Sequence, residues 1–219
     1  MRAVAALALC AALGACRNTK LYPADVPIVG VTTTGGKELG VATDQGVLFL
    51  GRTAEKGPAK VLYHIDAAPV VEAGRVVPVG GSIFEVLLDV PVATVPISFE
   101  PLRPSESLIM MWLDGDEVRT HPVEVSSDPI VYGTAVRRPA GLVLAAEHVG
   151  AGVFRDTDAG LALVGLVKAS ARVTGGEEYL LLAGLPELRA AFLRPQPAVP
   201  KLEAIYRADG TRILRKGRR

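Results

Sequence analysis

The stretch "EHVGAGVFRDTDAGLALVGLVKAS", residues 147–170, carries the pattern on which the fold reading rests. A glycine-rich turn (Gly150, Gly152) leads into the short apolar run Gly152–Phe154. A polar turn, "RDTDAG", follows, and then the longer run "LALVGLVKA". Two runs rich in Val, Leu and Phe on either side of such a turn predict a β-hairpin. Outward from this point the same motif recurs. Short apolar runs at "PIVGVTTT", "LGVAT", "GVLFLG", "AKVLYH", "GRVVPV", "IFEVLLD", "ATVPISF", "LIMMWLD", "EVRTHPVEV", "PIVYGTAV" and "GLVLAAE" are cut by Gly, Pro and Asp. Their length and β-branched content favour strand over helix. A second hairpin is predicted at "MWLDGDEVR", where Asp114-Gly115 suits a turn with positive φ. The expectation is a mostly-β domain, an antiparallel barrel, pair of barrels or sandwich.

The pattern changes after Thr174. "EEYLLLAGLPELRAAFL" places Leu181, Leu185, Leu188 and Phe192 at helical spacing, with acidic residues first and arginines last. A C-terminal helix is expected here, broken or restarted at Pro186. "RPQPAVPK" then reads as an extended proline-rich linker, and Asp209-Gly210 as the turn of a small hairpin in a basic tail. The division is therefore 1–15 leader, 16–26 tether, 27–193 mostly-β domain with its helix, and 194–219 linker and tail. The 219 residues are 49% hydrophobic and 21% charged, which fits a chain with a full core and argues against disorder. The 23 glycines and 16 prolines fit many turns between short strands.

The N-terminus, "MRAVAALALCAALGAC", has one positive charge at Arg2 and an apolar run from Ala3 to Leu13, too short to span a bilayer. Leu13-Gly14-Ala15-Cys16 resembles the lipobox of bacterial lipoproteins: a branched apolar residue, two small residues and a cysteine. Cys10 is a poorer match because bulky Leu9 precedes it. The resemblance implies cleavage before Cys16 and lipidation of Cys16. Arg17, rather than Asp, follows the cysteine, which in that family points to the outer membrane, facing the periplasm or the cell surface. Several acyl chains anchor firmly where one is marginal. With Cys10 removed and Cys16 acylated, no thiol remains for catalysis or zinc. The remaining basic and acidic side chains balance, so bulk charge offers no support for nucleic-acid binding.

The opening stretch is also similar to one segment of the trypsin-like serine proteases. These carry a Gly-x-Ser-Gly-Gly-Pro segment before a "V-F … G … V-G" hairpin, in a fold of two β-barrels and a C-terminal helix. Here "GVFRDTDAGLALVGLV" matches the hairpin, but "EHVGAG" stands in place of the nucleophile segment. Val149 falls on the serine position, followed by Gly150 and Gly152. Valine has no heteroatom and cannot be a nucleophile. "AKVLYHIDAAPVV" resembles the histidine segment, with His64 displaced by two places and Asp66 in its slot. "LLDVPVATV" resembles the aspartate segment through Asp89. In the triad, His takes the serine proton and Asp fixes the His tautomer. Without serine the pair has nothing to activate, so the resemblance implies an inactive relative, with a working peptidase as the alternative. "LVLAAEHV" also resembles the histidine-bearing strand, through His148, but no Gly-x-Ser-x-Gly lies downstream and Ser170 lacks flanking glycines.

Other chemistry finds little support. His64, His121 and His148 are far apart in sequence and match no zinc spacing, so no metal or cofactor is expected. "DTDAG" lacks the third oxygen ligand and distal glutamate of a calcium loop. Asp114, Asp116 and Glu117 sit at a convex hairpin tip, a poor place to tune carboxylates for glycoside hydrolysis. Clean alternation over ten-residue strands is missing, which argues against a membrane pore. The tail has a charge sign: Arg207, Arg212, Arg215, Lys216, Arg218 and Arg219 against Asp209. Beyond the membrane contact made by Cys16, this tail is the expected contact for an envelope protein or an anionic lipid.

Overall fold

The computed structural model describes residues 26–51, 57–65, 68–88, 95–115, 117–127, 134–172, 177–193, 202–206 and 212–216. Cys16, Asp66, Asp89, Arg218 and Arg219 lie outside these residues, as does the Asp209-Gly210 turn.

Six antiparallel strands form a first, closed barrel: β1 (Ile28–Thr33), β2 (Gly36–Thr43), β3 (Gly46–Leu50), β4 (Gly57–Ile65), β5 (Ala68–Gly80) and β6 (Ile83–Leu88). They close in the order β1-β2-β3-β6-β5-β4. Side chains of a strand alternate between faces. Val29, Val31, Val47, Phe49, Val61, Val76 and Val86 therefore fill the barrel interior. Their neighbours Ile28, Val41, Leu48, Leu50 and Ile83 face outward and are nevertheless buried. That is why "VLFL" in β3 is continuously apolar. The strand is covered on both faces, so polar alternation is lost.

The second sheet holds β7 (Ser107–Asp114), β8 (Glu117–Glu124), β9 (Ala135–Arg137), β10 (Gly152–Thr157), β11 (Gly160–Arg172) and β12 (Glu178–Ala183). Its order is β8-β7-β10-β11-β12-β9. A bridge between Val125 and Val136 brings its two edges together, so this sheet also curls around a core. Leu108, Met110, Val123, Val153, Val164, Leu180 and Leu182 line that core. The other face supplies Met111, Val118, Phe154, Leu163 and Leu166, which meet Ile28, Val41, Leu48 and Leu50 of the first barrel. One apolar layer thus joins the two units, and each fully buried side chain in it stabilises by about 1.5–3 kcal/mol.

Both predicted hairpins form. β10 and β11 pair around Thr157 and Gly160, and the Thr157 hydroxyl donates to the Gly160 carbonyl at 2.6 Å. "DTDAG" is thus a turn. β7 and β8 pair from Ser107↔Glu124 to Asp114↔Glu117, with Gly115 at φ +63°.

Three readings need correction. "GLVLAAE" is not a strand: Gly141 takes φ +81°, the Leu142 N–H bonds the Pro139 carbonyl, and the segment ends in a 3-10 turn, Ala146–His148. Its leucines, Leu142 and Leu144, pack on the second core beside Trp112. "ATVPISF" contributes single bridges at Val95 and Ile97 rather than a strand. The helical stripe over Leu181–Phe192 is half right. Glu178–Ala183 is strand β12, and only Leu185–Phe192 is helix (α1), with Pro186 in its first turn. Burial of Tyr179, Leu180, Leu182 and Ala183 within the sheet overrides the local periodicity. Helix α1 buries Leu188 in the layer between the barrels and packs Ala191 against Gly80 at the end of β5.

Candidate functional site

The turn before β10 sits where the two barrels meet. A Cβ on Gly150 would lie 2.8 Å from the Leu39 carbonyl oxygen of β2, and the residue holds φ +93°. A Cβ on Gly152 would lie 2.9 Å from Val41 and 2.5 Å from the Phe154 ring. Glycine is therefore favoured at Gly150 by close approach of the first barrel and by its backbone conformation, and at Gly152 by the Phe154 ring together with Val41 of the first barrel. Val149 is partly buried against the layer between the barrels.

The backbone amides from His148 to Ala151 are committed. The His148 N–H donates to the Ala145 carbonyl at 3.1 Å, and the Val149 N–H to the Ala146 carbonyl at 3.2 Å. The Gly150 N–H donates to the Val167 carbonyl at 2.8 Å, and the Ala151 N–H to the His148 carbonyl at 3.1 Å. An oxyanion hole needs N–H groups aimed at the point where charge develops, 2.7–3.1 Å away. At Val149, which the sequence resemblance aligns with the nucleophile, the amide instead closes a 3-10 turn.

His148 is buried, and its Nδ1 accepts a hydrogen bond from the Ala145 N–H at 3.0 Å. The proton of the neutral ring is then on Nε2. Its ring centroid lies 5.2 Å from that of Trp112 at an interplanar angle of 54°. This histidine holds the turn and packs; its Nδ1 is occupied by backbone.

Of the other protease-like positions, Asp66 and Asp89 lie outside the described residues. His64 lies in β4, where it pairs with Pro69 of β5. Strand β1 separates β4 from β2, the strand that the turn touches. Among the described residues no cluster of three or more His, Cys, Asp or Glu side chains could hold a metal ion, and no helix is long and apolar enough to cross a membrane.

Three polar arrangements were not legible in the sequence, because their members are distant along the chain. The first is a clamp on the segment joining the barrels. Arg155 of β10 bonds Glu106 through Nε at 2.5 Å and a terminal nitrogen at 3.1 Å, Ser98 at 2.8 Å and the Pro101 carbonyl at 3.1 Å. Burial alone would raise the Glu106 carboxyl. Hydrogen bonds from Arg155 and the Arg103 N–H, with both positive charges, outweigh it and hold the group below the usual carboxylate range. The second is an open cleft of about 370 Å³ lined by Arg138, Pro139, Ala140, Arg172 and Glu178. Glu178 bridges the two arginines across it, which gives the cleft an ion-paired rather than an apolar lining. The third is Glu85, 9% exposed on β6 beside Gly46, where burial pushes its carboxyl up.

The sequence matches no family model and no curated protein. Among solved structures, the chain is similar to the MamO protease domain from Magnetospirillum magneticum in its apo form. The likeness spans 73% of this chain and 92% of that one, at 15% identity and a TM-score of 0.51. At that identity it shows the fold alone: a trypsin-like double barrel with one helix near the C-terminus.

Proposed function

We propose that this protein is a non-catalytic trypsin-like domain that acts by binding or envelope assembly, held at the outer membrane by lipid on Cys16. The observation that carries the non-catalytic reading is the turn at residues 147–152. Valine stands at the nucleophile position, and its N–H is bonded to the Ala146 carbonyl at 3.2 Å. A serine triad without its serine loses the nucleophile, and a turn closed on itself has no free amide at that position for an oxyanion. The likeness to a solved protease domain supports descent of the architecture from a peptidase-like fold, and the lipobox supports the anchor.

Two measurements test this reading. Incubated with a mixed peptide library, the purified chain is expected to cleave nothing above a heat-killed control. Sequence-specific cleavage would establish the peptidase alternative instead. Mass spectrometry of the membrane-extracted protein is expected to find Cys16 as the first residue, carrying acyl chains. An unmodified Cys16 would remove the anchor.

A further inference from the structure

We propose that one end of the second barrel binds a carboxylate, at a row of three charged side chains. The inference rests on the binding reading above and names a site and a ligand class for it. Arg172 stands directly opposite Glu178 across β11 and β12, and the Arg138 N–H bonds the Glu178 carbonyl just beyond β9. The next row inward is Ser170, Leu180 and Val136, of which Leu180 and Val136 are fully buried in the second core. With a period of two, Arg172, Glu178 and Arg138 share the face of those residues and stand where that core ends.

The row is unbalanced, with two cations against one carboxylate. Glu178 accepts from Nε and a terminal nitrogen of Arg172 and pairs with a terminal nitrogen of Arg138. A guanidinium carries five N–H donors, so among the described residues both arginines keep donors beyond those that Glu178 takes. Both line the open cleft of about 370 Å³, whose other walls are Pro139 and Ala140. The Arg138 and Glu178 side chains are only 28% and 20% exposed, so their charges are less screened than at an open surface. Glu178 thereby holds both guanidinium forks over an apolar floor. The planar fork matches a carboxylate, and a single negative charge balances the one left over. A phosphate dianion would overshoot that balance and face Glu178. The cleft has room for a chain end or one side chain, so the ligand is the C-terminus or an acidic side chain of a peptide.

The test uses the full chain carrying Cys16→Ser, so that acylation plays no part, and follows the Nε–H signals of Arg138 and Arg172 by NMR. Three acetylated tripeptides are titrated: Ala-Ala-Ala with a free C-terminus, Ala-Glu-Ala amide and Ala-Ala-Ala amide. Saturable shifts are expected with the first two and none with the third, and binding should weaken as salt rises. The tighter of the first two names the source, chain end or acidic side chain. Arg172→Gln, at a position 72% exposed, keeps the fold. It is expected to weaken binding about ten-fold, the low end for losing a charge-assisted hydrogen bond. Lys168→Gln removes a cation of the same strand that is paired with Glu187, and is expected to stay within about two-fold. Equal losses in the two variants, or shifts with the neutral amide peptide, would overturn the site. Tighter binding of inorganic phosphate than of either carboxylate peptide would overturn the ligand class. No saturable shift with any peptide would reduce the row to an ion-paired cap on the barrel end. The peptidase and acylation assays do not involve this row, so failure here leaves the non-catalytic reading separately testable.

Discussion

At the scale of single residues, Glu85 is a carboxyl whose environment works against its charge. It is nearly covered beside Gly46, and a Cβ on that glycine would come within 2.4 Å of Glu85 Oε1. Burial is the cause of its raised pKa. The folded state thus holds a proton that the unfolded chain releases near pH 4.3, the ordinary glutamate value. The contribution of Glu85 to stability is then highest below about pH 4, falls as pH rises toward its folded pKa, and levels off above it. Glu85→Gln keeps the shape and removes the charge. The variant is expected to melt a few degrees above the parent at pH 8 and level with it near pH 4, in thermal scans across that range. A variant that melts lower at pH 8 would mean that the ionised carboxylate is needed. That residue 149 is a valine without a heteroatom was legible from one letter of the sequence, whereas the committed amides of His148 to Ala151 were not.

At the scale of elements, the segment between the barrels is pinned rather than loose. Within it the Ser98 N–H donates to the Leu163 carbonyl of β11 and the Pro96 carbonyl accepts from the Leu163 N–H, and Arg155 reaches from β10 to Ser98, Pro101 and Glu106. Arg155 and Glu106 side chains are only 12% and 16% exposed, so removing one partner leaves a charge that water cannot fully solvate. Arg155→Ala is expected to cost about 3–5 kcal/mol at pH 7. The sign with pH follows from Glu106, whose folded pKa is depressed. The stability from the pair is present above the unfolded carboxylate pKa and is lost as pH falls through the folded one. Urea unfolding in a series from pH 7 downward should therefore show a penalty that is full at pH 7 and shrinks progressively once pH falls below the ordinary carboxylate range. A penalty that does not shrink at all with falling pH would assign the effect to lost packing. Elements were also where sequence reasoning divided. Hairpins announced by Asp-Gly or Gly at a turn were legible, because turn chemistry is local. "GLVLAAE" and "EEYLLLA" were misread, since what decides each lies elsewhere in the chain: the second core for the first, and strands β11 and β9 for the second.

At the scale of the whole molecule, the double barrel follows from strands that are apolar on both faces. β2 and β3 bury one face inside the first barrel and the other against β10 and β11, so neither barrel hides its surface alone. This was readable only in part. Continuous runs such as "VLFL" signal two-sided burial, but which sheet covers the second face is not written in any local pattern. Phe154 stands in that layer, fully buried, and its neighbour Gly152 is kept free of a side chain by the Phe154 ring and Val41. Phe154→Ala removes a large ring at the seam and is expected to cost about 3–5 kcal/mol. Because the layer is shared, the loss should fall on both barrels together. Trp112, the single tryptophan, reports the second barrel through its contact with His148. Amide exchange along β2 and β3 reports the first. In the parent, tryptophan fluorescence and that exchange should give one unfolding free energy, and in Phe154→Ala both should drop by the same amount. If the fluorescence midpoint fell while exchange in β2 and β3 held, each barrel would be stable by itself. The apolar layer would then be a docking contact between two domains rather than the core of one.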